Sequence, residues 1–465
     1  MVAHTHLEFE HLHQPSGWLS PGYLEIDAHG DIAEVAAARP LHWPNSARRV
    51  AGYAIPGLPN LHSHAFQRAF AGFAEHRSHA TDTFWTWREA MYACADAIDP
   101  DALEDITAMA FLEMLRAGYT SVAEFHYLHH DKTGLPFSDR AEASWRILSA
   151  ATRVGLGLTL LPVFYQRGGF DQPLQARQRR FAHRTVDEFF ATCGRVLARM
   201  RGERIWRFGA AAHSLRAVEE RALHDVVAAL DHHDPSAPIH IHVAEQQREV
   251  DDCLANLDAR PVAYLLSRFN LGPRWCLVHA THVDDGERLA LARSDAVAGL
   301  CPTTEANLGD GIFPADTFMG TAGRVGVGSD SQIEIDPCAE LRLLEYGQRL
   351  RREERNVLVG EGTGHVGRHL WQSACAGGAQ ALGQAVGELR PGRRADIVGL
   401  DPQHPRLLGH SPDTVLDAFV FAAGAGAVRD VWVGGRHLVH DRHHHAEEEI
   451  CASFRRTMHR LYQRA

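Results

Sequence analysis

The feature that most constrains this chain is a rhythm. Short β-rich apolar runs recur eight times, separated by segments whose apolar residues fall at helical spacing. The runs are VAGYAIPGLPNLHSH (50–64), GYTSVAEFHYL (118–128), GLGLTLLPVFY (155–165), RFGAAAHSLR (207–216), PIHIHVAE (238–245), WCLVHATHV (275–283), AVAGLCPTTEANLG (296–309) and RVGVGSDSQ (324–332). Between them lie stretches such as DALEDITAMAFLEMLRAG (101–118) and VEERALHDVVAALDHH (218–233). Strands alternating with helices predict an α/β fold, a (β/α)8 barrel over residues 57–390. In most runs the apolar residues come first and His, Glu, Arg, Tyr or Asp arrive at the C-terminal end. That is where barrels of this kind build their active sites.

The flanks read differently. GYLEIDAHGDIAEV near the start, and ADIVGLDPQHP and DVWVGGRHLVHD near the end, are short strands and turns. Residues 1–56 and 391–445 are therefore expected to pair into a small β-sandwich domain. Residues 446–465 are expected to form a C-terminal helix. The HHH at 443–445, followed by acidic residues, is expected on the surface.

Composition narrows the functional classes. A net charge of −11, with no basic stripe carrying aromatics, argues against nucleic acid as a partner. No uninterrupted apolar run reaches membrane-spanning length, so no membrane association is expected. MVAHTHLEFEHLHQPSGW lacks the basic start and apolar core of a secretory signal. The eight cysteines are scattered with no CxxC pair, as in reduced thiols of a cytoplasmic protein. Lys132 is the only lysine in the sequence.

With 32 histidines, position must sort ligands from bystanders. His62 and His64 share one face of a strand end, as i and i+2 residues do. The same spacing recurs at His4/His6, His11/His13 and His240/His242, so HxH alone is weak. Three further strand ends add weight: His242-Val-Ala-Glu245, His279 and Ser329-Asp330-Ser331. His62, His64, His242 and Asp330 make a donor set suited to one divalent metal per chain, Zn2+ first and Fe2+ second. Such a metal acidifies water toward a pKa of ~7. Glu245 stands where a proton shuttle is needed, and His279 where a hydrogen bond would hold the attacking water or polarise the substrate. Polar rim residues complete the set: Gln67, Arg88, Tyr127, His213 and Arg216. Two arginine forks suit a small substrate with two carboxylates. Each has a structural alternative, Arg88 as a helix cap and Tyr127 as core.

PGLPNLHSH, HVAE, VHATHV, VGVGSDS and GELRPGRRADIVGLD together resemble the amidohydrolase superfamily over nearly the whole chain. HxAE resembles its deaminase group. Binuclear branches carry a bridging lysine at the end of the fourth strand, where this chain has Ala211, Ala212 and His213, so the resemblance implies one metal. HSHAFQRA, FHYLHH, AAAHSLRAV, HVAEQ and CPTTEANLGDGIFP are similar to the formimidoylglutamate deiminase branch. That resemblance implies hydrolysis of N-formimino-L-glutamate to N-formyl-L-glutamate and ammonia, in histidine degradation. It also implies His62, His64, His242 and Asp330 as ligands and Glu245, His279 and Asp330 as catalytic residues. Gln67, Arg88, Tyr127, His213 and Arg216 would hold the glutamate moiety. Barrels with the extra β-domain often pair, so a homodimer is expected. The rival readings are a deaminase of a purine, pterin or thioadenosyl compound, and an inactive barrel scaffold.

Overall fold

One helix shows how local chemistry sets a unit of the barrel. Asp99 caps Pro100–Ala117 by accepting from Ala102 N, Pro100 takes the first turn, and Gly118 ends it at φ 103°. The cap contributes about 1 kcal/mol, and the left-handed glycine turns the chain directly into a strand. That strand is Tyr119–His126, buried along its whole length.

The computed structural model describes residues 4–44, 47–77, 82–360, 362 and 364–462. Among these, eight parallel strands follow one another around a barrel: Leu58–Ser63, Tyr119–His126, Gly157–Phe164, Ala210–Ser214, Ile239–Val243, Trp275–His279, Val297–Leu300 and Arg324–Val327. Helices run between them, and parallel pairs buried on both faces explain the continuous apolar runs. The last strand returns to the first through a parallel bridge between Ser63 and Asp330. His64 N donates to Asp330 O, and Asp330 N donates to His62 O, each at 3.0 Å. The barrel thus comes together at the candidate ligands themselves. Gly328 permits this closure, because a Cβ there would sit 2.7 Å from the His62 backbone.

Both chain ends build a second, nine-stranded sheet. Its central seam is the antiparallel pair Arg48–Pro56 and Ile397–Leu400, which ties the N-terminal strands to the C-terminal ones. Leu7, Phe9, Ile26 and Trp432 lie in its core. A helix, Glu447–Tyr462, follows the last strand. No helix among the described residues is long and apolar enough to cross a membrane.

Three details differ from expectation. The run 50–64 is two strands, one in each sheet, with Gly57 at the junction. The run 207–216 is also split, and Trp206–Phe208 pairs with the third barrel strand. His444 is not on the surface: it is buried, with Nε2 3.0 Å from Val154 O. A short strand, His443–His444, turns alternate rings inward, which the repeated letter conceals.

Candidate active site

The C-terminal ends of strands one, five and eight bring His62, His64, His242 and Asp330 together. His62 Nε2 lies 3.3 Å from His64 Nε2 and 3.0 Å from His242 Nε2. Asp330 Oδ1 lies 3.5 Å from His62 Nε2 and 3.3 Å from His64 Nε2. The outer nitrogens fix two tautomers. His64 Nδ1 faces Phe125 O and His242 Nδ1 faces His213 O, both at 3.0 Å. A carbonyl only accepts, so both Nδ1 atoms carry the proton and both Nε2 lone pairs point inward. Burial holds all three rings neutral, lowering His62 to about 3 against the pull of Asp330, and lowering His64 and His242 too.

Inward lone pairs this close repel unless something cationic lies among them. Four donors around zinc at about 2.0–2.1 Å would stand about 3.3 Å apart, close to the spacings found. The residues present fit a divalent metal. Burial would raise the Asp330 carboxyl, but His62, His64 and His279 hold it below the usual carboxylate range.

The second ring of the site is ionic. His279 Nδ1 is 3.2 Å from Glu305 Oε1, while its Nε2 is 3.7 Å from Glu245 Oε1 and 3.8 Å from Asp330 Oδ2. Burial lowers this ring, yet those three carboxylates overcome it and raise it to about 10. Burial pushes Glu245 up to about 7, with His279 and Arg216 opposing. The backbone is strained here: Ala244, His279, Ala280 and Asp330 take φ of 51°, 69°, 49° and 42°. Such left-handed non-glycine residues are costly and cluster at functional sites.

The rim residues reach the same cavity. Gln67 Nε2 donates to Tyr127 Oη at 3.0 Å, and Gln67 Oε1 is buried without a partner. Arg88 sits inside the Phe84–Ala97 helix rather than at its cap, 4.5 Å over Trp85, with Nε unpartnered. Arg216 has a buried Nη1 without a hydrogen bond, 3.5 Å from Glu249 Oε2. His213 is kept neutral by burial and by Arg216. The structure therefore gathers every singled-out residue at one barrel mouth. Arg68 faces away, paired to Glu113 at 2.5 and 2.9 Å.

Supporting carboxylates escaped the sequence reading. Glu305 orients His279 and accepts from Cys301 N at 2.9 Å. Glu124 accepts from Ser63 Oγ and Ala65 N, bracing the turn that carries His64. Glu249 accepts from Glu245 N at 3.2 Å. Asp310 lies beside Glu245 and His279. The signal available was a carboxylate at or just beyond a strand end, as in AEFH and TTEANLGD.

A barrel mouth with three inward imidazoles and one carboxylate defines a metal-dependent hydrolase class. Residues 53–438 match the amidohydrolase family, to which the chain belongs; the family is metal-dependent. In particular, it is 48% identical to the formimidoylglutamate deiminase of Pseudomonas aeruginosa, over 95% of this chain and 96% of that enzyme. Among solved structures, an amidohydrolase from Brucella melitensis superposes with a TM-score of 0.91 at 40% identity, covering 98% of this chain and 99% of that one. The 8-oxoguanine deaminase of Pseudomonas aeruginosa is 28% identical over 83% of this chain and 82% of that enzyme.

Proposed function

We propose that the protein hydrolyses N-formimino-L-glutamate to N-formyl-L-glutamate and ammonia. The observation that carries this is the pair of buried, unsatisfied guanidinium nitrogens, Arg88 Nε and Arg216 Nη1, in the cavity that also holds Glu245 and Asp330. Arginine forks recognise carboxylates, and Gln67, Tyr127 and His213 supply further polar contacts for a second one. A flat neutral heterocycle would leave the guanidinium donors unpaired. The likeness to the deiminase over almost the full length supports the same substrate.

His62, His64, His242 and Asp330 would hold one divalent metal, and three imidazoles with one carboxylate favour zinc, with Fe2+ second. A bound metal supplies Lewis acidity and makes water a nucleophile near neutral pH. This chain's residues do the rest. Asp330 turns Oδ1 to the histidines and Oδ2 to His279, so Oδ2 is free to orient the attacking water. His279, charged and braced by Glu305, donates to the same water. Water oxygen bonds to the formimino carbon, and Glu245 carries the released proton to the imino nitrogen. As the carbon–nitrogen bond breaks, Glu245 carries the remaining hydroxyl proton to the departing nitrogen, which leaves as ammonia, and the formyl carbonyl remains.

Eight unpaired cysteines support a reducing compartment, the cytoplasm. For assembly the reading is a homodimer, which light scattering measures. The substrate reading is tested by ammonia release from N-formimino-L-glutamate beside guanine and adenosine derivatives. Turnover of the first alone is expected; preferred release from a purine would overturn it.

A further inference from the structure

One carboxylate at the site is not used by this chemistry. Asp310 lies between Gly309 and Gly311, just past the Pro302–Leu308 helix, and is 5% exposed. Gln246 Nε2 donates to its Oδ1, and its backbone N donates to Glu305 O at 2.9 Å. Its Oδ2 is buried and has no hydrogen-bond partner. One ligand atom each from Asp310, Glu245 and His279 lies within 4.8 Å of the others. A buried carboxylate oxygen without a donor is unfavourable, and a second carboxylate nearby makes it more so. What Oδ2 lacks is a hydrogen-bond donor, since the His279 ring is near but makes no hydrogen bond to it.

The cavity has an electrical direction. Arg88 and Arg216 lie at one end and the carboxyl groups of Glu245 and Asp330 at the other. Asp310, beside Glu245 and His279, is raised to about 10 by burial and by the neighbouring carboxylates, so its ionisation calls for a cation next to it. N-formimino-L-glutamate has the reverse polarity: two carboxylates at one end, and at the other a formamidine, a strong base that is cationic at neutral pH. Its planar cation presents N–H bonds on both nitrogens, and Glu245 is occupied with proton transfer.

We infer that Asp310 is a substrate-binding residue whose free oxygen accepts an N–H from the formamidinium, so that the site selects a cationic amidine over a neutral group of the same shape. This rests on the substrate reading above. Asp310 holds the nitrogen that leaves as ammonia, while Gln246 and the Glu305 carbonyl keep its carboxylate in place.

The product offers the control, because N-formyl-L-glutamate keeps both carboxylates and replaces the cation with a neutral formamide. With metal-replete full-length protein, Asp310→Asn is expected to raise KM for the substrate about ten- to a hundredfold, to leave the inhibition constant of the product within about twofold, and to keep the metal content. KM and product inhibition moving in parallel, or neither moving, would overturn the inference, as would loss of one metal equivalent. Asp310→Ala, read in the same way, covers the case in which the new amide disturbs Glu245 or folding. Failure of the wild-type protein to turn over N-formimino-L-glutamate would remove the substrate reading first; normal wild-type turnover with an unaltered variant removes only the role of Asp310.

Discussion

Two groups of buried histidines sit near the barrel mouth, and only one has the makings of a metal site. His62, His64 and His242 turn nitrogens toward one point, and Asp330 joins His62 and His64 there. His126, His129, His130 and His183 are equally packed, with ring centroids of His129–His183 at 4.5 Å and His130–His183 at 5.0 Å. Yet His129 and His130 spend Nε2 on the carbonyls of Val163 and Ala182, and both nitrogens of His183 are unpartnered. Among the described residues, this second group belongs to no set of convergent ligand atoms. Burial keeps both groups neutral. The difference lies in where the nitrogens point and whether an anion joins them, not in how many rings are gathered.

The two histidine groups differ most at Asp330. Asp330→Ala is expected to abolish both metal retention and turnover, read by elemental analysis and ammonia release. Retention of one metal per chain would show that Asp330 is not needed to hold it. Glu245→Gln sharpens the division between holding the metal and using it. It should keep the metal and lose about 10²–10⁴-fold in kcat; near-normal turnover would remove Glu245 from proton transfer. Arg216→Met should act on binding, with KM rising on the order of 30-fold or more, since removing one partner of a buried charge pair costs about 2–5 kcal/mol. An unchanged KM would argue for a different substrate class.

The smallest effect belongs to the second histidine group. His183→Phe should leave metal content and kcat unchanged, because the ring meets no donor or acceptor. Its signature is in acid. Burial lowers the folded His183 to about 3 from the ordinary 6.5. Below pH 6.5 the unfolded chain therefore binds a proton that the folded one excludes, and stability falls as pH drops toward 3. Each such ring contributes a slope of up to about 1.4 kcal/mol per pH unit. Denaturant titrations between pH 6.5 and 4 should be flatter for the variant by about that amount. Equal slopes would show that His183 is protonated, or solvated, in the folded protein.

Much of the barrel was legible because parallel strands buried on both faces leave uninterrupted apolar runs. The candidate ligands were legible because they end those runs. His62 and His64 looked no different from His11 and His13 until His242 and Asp330 gave them a common point. The division of 50–64 was hidden because Arg48–Pro56 and Leu58–Ser63 are both apolar and only Gly57 parts them. Glu305 and Asp310 were hidden for another reason. They lie within and just past the Pro302–Leu308 helix after the seventh strand, where no periodicity distinguishes an inward carboxylate from a solvated one. The closeness of Asp310 to Glu245 is a tertiary fact, carried by a loop between two glycines.

The most direct test of the account is ammonia release from N-formimino-L-glutamate, with the metal-replete protein set beside the same protein stripped by chelator. Stoichiometric ammonia and N-formyl-L-glutamate are expected from the replete protein, with loss of release on stripping and recovery when one equivalent of zinc per chain is returned. Turnover undiminished in the stripped protein, or none in the replete one, would contradict it.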